Sequence, residues 1–284
     1  MDNKIVIGSA QFGTRYSLNS KQVLKSTECK KILTECKVNK INFLDTAFDY
    51  TEAYKILKKI GCEDFNVITK LPKMNFISNH YHENKIYKTL NDFKIKHFYA
   101  ILFHNEKFIF TKEGEKIFNF LKYLKKNKIV KKIGVSVYNY PILKKIIKYF
   151  DIDIIQCPIN VFDREFIEKN NVEILKKKNI EIHARSIFLQ GLLLLKSKQI
   201  PRKFKKYNKY FSEWDNYLKE NNISNYFNCI NFIKKQSKID KVILGVDSVN
   251  HLNEFIKNWR QKIVLNNDFN LKINDKKLLK PYLW

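Results

Sequence analysis

Short runs rich in β-branched residues alternate along this chain with longer segments whose apolar residues recur at helical spacing. That alternation is the signature of repeated βα units around a parallel sheet. The pattern predicts strands at Lys4 to Ile7, Ile41 to Leu44, Asn66 to Thr69, Phe98 to Phe103, Lys132 to Ser136, Ile152 to Cys157, Ile180 to Ala184 and Lys241 to Leu244. Between them it predicts amphipathic helices at Lys21 to Asn39, Ala53 to Ile60, Lys85 to Lys94, Lys112 to Asn127, Pro141 to Phe150, Ile167 to Lys178 and Tyr226 to Ser237, with a last one from Val249 to Trp259. Eight strands, each followed by a helix, predict an α/β fold of the (β/α)8 TIM-barrel type.

No linker rich in Gly, Pro or Ser interrupts the series, so residues 1–284 read as one domain. Two stretches exceed what the βα repeat needs. Residues 197–225 hold Tyr207, Tyr210, Phe211, Trp214 and Tyr217 among lysines and read as a substrate lid or an extra helix, with the aromatics around Trp214 placed to stack on a sugar face. The tail, 264–284, is long enough to fold over the barrel mouth.

Composition changes this picture little. Hydrophobic residues make up 44% of the 284 and aromatics 14%, enough for a large core and too much for a disordered chain. The formal net charge of +26 raises nucleic acid as a partner. Yet the lysines fall as scattered pairs and triplets, such as Lys58-Lys59 and Lys176-Lys177-Lys178, inside segments with helical spacing. They read as solvated helix faces, and the expectation is no nucleic-acid partner. A positive field would instead favour encounter with phosphorylated small molecules. The five cysteines show no CxxC pair and no His/Cys cluster at metal-ligand spacing, so reduced thiols and no metal are expected. The N-terminal stretch lacks the apolar region of about 7–15 residues that a signal peptide carries, and no run approaches the roughly 20 apolar residues of a membrane span. A cytoplasmic protein with no membrane partner is the expectation.

In a barrel of this kind chemistry collects where the strands end, because the βα loops converge there. Each predicted strand is followed by polar or small residues at that end: Asp45-Thr46-Ala47 with Tyr50 close behind, Lys70, His104, Ser136, Gln156, Arg185-Ser186 and Gly245. A charged group directly after an apolar run must emerge at the mouth or lie in the core at high cost. An acid, a phenol, a lysine and a histidine on successive strands suit the reduction of a carbonyl. Hydride addition creates an oxyanion that must be protonated by a group of suitable acidity. A phenol, ordinarily ionising at about 10, serves only beside a cation. Tyr50 would be the general acid and Lys70 the cation, Asp45 would hold Lys70, and His104 would orient the carbonyl oxygen. Singly, each residue also has a structural reading: Tyr50 as a rim aromatic, Asp45 as a helix N-cap, Arg185 as a surface ion-pair donor.

On these residues the sequence resembles the aldo/keto reductase family over nearly its whole length. The resemblance is carried by Gly8-Ser9-Ala10-Gln11-Phe12-Gly13, Asp45-Thr46-Ala47 with Tyr50, Thr69-Lys70, Leu102-Phe103-His104, Gly134-Val135-Ser136, and Arg185-Ser186 with Gln190-Gly191. It implies a catalytic tetrad of Asp45, Tyr50, Lys70 and His104. It further implies that Ser136 and Gln156 hold the nicotinamide carboxamide, that Gly8, Ser9 and Ala10 line its edge, and that Arg185, Ser186, Phe188, Gln190 and Gly191 cover the pyrophosphate. At the adenosine end, where many members carry Lys-Ser and then Arg, this chain has Gly245-Val246 and then His251, with Glu254 following. NADPH is the cofactor implied by family habit, with NADH as the other candidate. The implied partner is a small carbonyl compound, and the opening Gly-Ser-Ala-Gln-Phe-Gly points to a sugar or nucleotide-linked sugar of glycan metabolism. A monomer or weak homo-oligomer is expected. The competing reading is a cofactor-sensing protein of the same fold without chemistry.

Overall fold

A computed structural model describes residues 3–15, 18, 23–72, 79–261 and 269–284. The predicted helix start at Lys21 and the first residues of the predicted tail, from Val264, lie outside the described residues. Eight parallel strands close on themselves in sequence order: β1 (Ile5–Gly8), β2 (Phe43–Asp45), β3 (Asn66–Lys70), β4 (Phe98–Phe103), β5 (Val130–Ser136), β6 (Ile154–Pro158), β7 (Glu181–Arg185) and β8 (Lys241–Gly245). The ring closes through β1 and β8, where Ile7 pairs with Leu244 and Gly8 with Gly245. Helices α1 (Ser26–Val38), α2 (Thr51–Ile60), α3 (Asn79–Phe93), α4 (Lys112–Lys126), α5 (Tyr140–Tyr149) and α6 (Lys169–Lys177) follow the first six strands. Between β7 and β8 lie α7 (Asn208–Glu220) and α8 (Asn225–Lys235), and α9 (Val249–Arg260) and the one-turn α10 (Lys276–Leu279) follow β8. This is the expected (β/α)8 barrel.

Local chemistry sets these elements. Thr111 caps α4, its Oγ1 accepting from Gly114 N at 3.0 Å, and Ser248 caps α9 by accepting from His251 N at 3.1 Å. Pro141 lies in the first turn of α5, where its missing N–H costs nothing. β2 begins two residues later than predicted because Lys40 takes a left-handed φ of 58° and Ile41 N bonds back to Cys36 O at 2.8 Å. Ile41 therefore closes α1 instead of opening the strand. At Gly134 a Cβ would lie 2.2 Å from Ile154 O, so β5 and β6 fit together only without a side chain there.

Apolar side chains pack in three places. The main core fills the layer between the strands and α1–α6, α8 and α9, while Val6, Phe43, Ile68, Ala100, Leu102 and Ile154 pack inside the barrel. A separate cluster joins Phe162, Leu192, Phe211, Trp214, Phe269 and Leu278. That cluster answers what residues 197–225 are for in the fold: an added helix, α7, and two preceding 3-10 turns that pack beside the barrel with the C-terminal segment. Trp214 is fully buried and its Nε1 donates to Leu193 O at 3.3 Å, so its ring offers no face to a sugar, contrary to expectation. The tail is pinned to the loop after β6, where Arg164 Nη2 donates to Phe269 O at 2.5 Å and Lys280 pairs with Asp163 at 3.1 Å, both charges 2% exposed.

Candidate active site

Because the strands are parallel and close into one barrel, their last residues meet at one mouth. Asp45 and Lys70 are the final residues of β2 and β3, and both are buried. Lys70 Nζ donates to Asp45 Oδ1 at 2.6 Å, to Oδ2 at 2.8 Å and to Thr46 O at 2.9 Å. All three protons of the ammonium thus have acceptors, which is the condition for keeping such a charge out of water. Tyr50 stands at the N-terminus of α2, held by Tyr50 N donating to Ala47 O at 3.0 Å. Lys70 Nζ lies 5.7 Å from the centre of its ring. His104 follows β4 and meets the same ring edge-on, with centroids 6.1 Å apart and planes at 82°. The four residues predicted as a tetrad are therefore neighbours, brought together from three strand ends and one helix start.

Gln156 lies one residue pair across from Ser136 and spends its Nε2 on Asp45 Oδ2 at 2.8 Å. The carboxylate is thereby bound by both the ammonium and an amide. Ser136 is 5% exposed, and among the described residues its hydroxyl makes no hydrogen bond, as a carboxamide partner requires. Gly8 ends β1, and Ser9 N donates to Asp45 O at 2.8 Å, which ties Ser9 and Ala10 to the same rim.

The segment after β7 takes an unusual path: Ser186, Leu189, Gln190 and Gly191 all have positive φ, from 48° to 89°. These left-handed residues fold the segment back on itself, with Leu189 N donating to Ser186 O and Gly191 N to Phe188 O, both at 2.9 Å. Its Gln190 O accepts from Leu18 N at 3.1 Å, linking it to the loop after β1, and Ser186 O accepts from Asn160 Nδ2 at 3.1 Å. Phe188 stacks on Tyr226 of α8 with centroids 4.9 Å apart. The Arg185 guanidinium leans the other way, over the Tyr138 ring at 4.0 Å and toward Val137 O at 3.3 Å, on the β5 side of the mouth. At the far rim a Cβ on Gly245 would strike the Gln11 amide at 2.1 Å, and His251 and Glu254 sit exposed in the first turns of α9. There His251 Nδ1 is already paired with Asp247.

Sequence reasoning passed over three residues. Asp49, beside Tyr50, places Oδ2 3.5 Å from His104 Nδ1. Glu106 accepts from Tyr138 N at 2.6 Å and from Asn139 Nδ2 at 3.0 Å, joining the loops after β4 and β5. Lys280 reaches the Tyr138 ring at 6.0 Å from the tail. For Asp49 a signal existed, a second acid one residue before the phenol. For the other two none did. Among the described residues no group of three or more His, Cys, Asp or Glu side chains is arranged to hold a metal ion, and no helix is long and apolar enough to cross a membrane.

A closed parallel barrel with a phenol, an imidazole and a bound ammonium at its C-terminal mouth defines a class of barrel oxidoreductases, and comparison with known proteins agrees. The sequence model of the Aldo/keto reductase family matches residues 4–276, and the chain belongs to that family. Its members are oxidoreductases that generally use NAD(P)H on small carbonyl substrates. Among solved structures it is similar to the aldo-keto reductase from Bacillus halodurans in its holo form, at 16% identity over 92% of this chain and 88% of that one, with a TM-score of 0.72. A thermostable aldo-keto reductase in complex with the inhibitor epalrestat aligns at 16% identity over 92% and 90%, with a TM-score of 0.66. A Pseudomonas aeruginosa protein assigned to the same family aligns at 14% over 90% and 89%, also at 0.66. These likenesses bear on the fold. No curated protein matches the chain.

Proposed function

We propose that this protein reduces the carbonyl group of a small aldehyde or ketone with NAD(P)H, Tyr50 acting as general acid. The observation that carries the reading is the Lys70 ammonium, fixed by both oxygens of Asp45 and lying 5.7 Å from the centre of the Tyr50 ring. When bound, the reduced nicotinamide supplies the hydride. The carbonyl oxygen gains an electron pair as the hydride adds to carbon, and the Tyr50 hydroxyl delivers its proton to that oxygen. The phenolate left behind is stabilised by Lys70, so the cost of releasing the proton falls. Asp45 and Gln156 keep the ammonium in place. His104, with Asp49 Oδ2 3.5 Å from its Nδ1, orients the carbonyl oxygen.

Ser136 and Gln156 fit the nicotinamide carboxamide, Gly8, Ser9 and Ala10 its edge, and the segment Arg185 to Gly191 is read as covering the pyrophosphate, with the Arg185 guanidinium leaning away from the rest of it. Gly245, His251 and Glu254 fit the adenosine end. There the Asp247 carboxylate already occupies His251, which is therefore not offered to a 2′-phosphate, so a strong preference for NADPH over NADH is not expected. The substrate class carried with this reading is a sugar carbonyl. Replacing Tyr50 by Phe should lower kcat by a factor of roughly 10²–10⁴ while NADPH still quenches protein fluorescence; a Y50F variant as active as the parent removes Tyr50 from the chemistry. The fully satisfied Asp45–Lys70 pair favours an enzyme over a cofactor sensor that has lost its chemistry.

A further inference from the structure

We infer that Arg185 is the recognition group for an anionic substituent, a carboxylate or phosphate, on the carbonyl substrate. The inference rests on the hydride-transfer reading of the site and adds a substrate class to it.

Arg185 is the last residue of β7 and is half-buried. Its guanidinium lies over the Tyr138 ring, with Cζ 4.0 Å from the centre, and makes one hydrogen bond among the described residues, from Nη2 to Val137 O at 3.3 Å. Among the described residues no carboxylate pairs with it. The acids near it are committed elsewhere. Asp163 is bound to Lys280 at 3.1 Å, Glu106 to Tyr138 N and Asn139, and Glu165 accepts from Tyr140 N at 3.2 Å. A guanidinium has five N–H donors in a planar fork, and stacking on a ring fixes the plane while leaving the edge open. A half-buried cation with most donors unspent is costly unless an anion completes it. The cation thus stands at a strand end with the Asp163 charge nearby but already bonded to Lys280, and its donors are open to an anion from outside.

Two sources offer that anion, the substrate and the cofactor phosphates, and position separates them. Arg185 turns toward β5, whose loop is tied through Glu106 to the loop carrying His104, the residue that addresses the carbonyl oxygen. Tyr282, from the C-terminal segment, packs on the same Tyr138 ring with centroids 4.6 Å apart. The left-handed segment read as covering the pyrophosphate lies beyond Ser186 and contacts the loop after β1 instead. The guanidinium therefore leans away from that segment and toward the loops after β4 and β5, where His104 stands.

The test uses a matched pair of probes, 4-formylbenzoate and its uncharged methyl ester. The wild-type protein should favour the anion in kcat/KM. Arg185→Met should lower the carboxylate-to-ester ratio roughly 10- to 100-fold, the range of a charge-assisted pair, and Arg185→Lys should restore part of it. A binding arm independent of turnover titrates both probes calorimetrically into the NADP⁺-loaded protein, where the same ratio of affinities should fall in the Met variant. A wild-type protein with no preference for the anion in either arm overturns the inference. So does an Arg185→Met variant whose NADPH Kd rises about tenfold or more while the probe ratio holds, since the guanidinium then serves the cofactor. Failure of the parent reading appears differently, as binding preference intact in the calorimeter with no Tyr50-dependent turnover of either probe.

Discussion

The Asp45–Lys70 pair allows scaffold and chemistry to be separated by a double substitution. Both side chains are buried and joined at 2.6 Å and 2.8 Å. Asp45→Asn alone leaves an ammonium out of water with no anion, a change that costs about 3–5 kcal/mol. With unfolding entropy of about 2.1 cal/mol/K per residue, a barrel of 284 residues should then lose roughly 5–8 °C in Tm. Adding Lys70→Met removes the stranded charge and fills its space, and most of that loss should return, because a buried pair and an apolar replacement are nearly equal in stability. Catalysis should not return. Coulomb's law at an effective dielectric constant of about 20 puts the attraction between the ammonium and a phenolate charge centred 5.7 Å away at about 3 kcal/mol, which is roughly 10²-fold in rate. Calorimetric Tm and single-turnover oxidation of NADPH by an aldehyde, measured on both single variants and the double, give the comparison. A double variant that regains activity together with Tm would refute the electrostatic reasoning, for the pair would then be scaffold alone.

Three further outcomes are expected. Acid should destabilise the fold in two stages: burial keeps His183 neutral below its ordinary 6.5, so the unfolded chain takes up a proton there that the folded one refuses. Glu181, pushed up by burial but held down to about 2 by its bonds with His183 and Lys132, adds stability that is present above its ordinary 4.5 and lost as pH falls toward 2. Thermal melts from pH 8 to pH 3 should show both stages, and an equally steep fall below about pH 4.5 in a Glu181→Gln variant would contradict the second. All five cysteines are free and buried, with the thiols of Cys29, Cys36 and Cys62 pushed up to about 12 by burial, so a thiol reagent should label none in the native protein and all five in guanidinium. Gly134→Ala, whose Cβ would meet Ile154 O at 2.2 Å, should yield little soluble protein, and a variant with a wild-type melting curve would count against the packing described between β5 and β6.

The strands were legible because a parallel sheet covered on both sides needs short, wholly apolar runs, and every predicted strand lies within two residues of its observed bounds. Asp45, Lys70 and His104 were legible for a related reason: each follows such a run directly, and a charge in that position has only the mouth to go to. What escaped were contacts between residues far apart in sequence. Gln156 reaches Asp45 across 111 positions, and Lys280 reaches Asp163 across 117. Nothing in the local sequence distinguishes Lys280 from the other lysines. Trp214 was misjudged although its stripe was present. Phe211, Trp214 and Leu218 recur at helical spacing and are all buried, which marks a packed face and not a surface open to a ligand.

A network of charges does not by itself mark the functional end of this barrel, since both ends carry one. Near the starts of β5 and β7, Lys132 pairs with Glu181, which also accepts from Tyr99 at 2.9 Å and meets His183 at 3.1 Å. In number of charged and polar partners that network rivals Asp45–Lys70, although its ion pair is 31% and 23% exposed against 2% and 6%. The difference is strand polarity. Glu181 opens β7, whereas Asp45 and Lys70 close β2 and β3, next to a phenol and an imidazole from neighbouring loops. Only the closing ends are surrounded by βα loops that can bring further groups and admit a ligand, so the same electrostatic motif is scaffold at one end and candidate catalyst at the other.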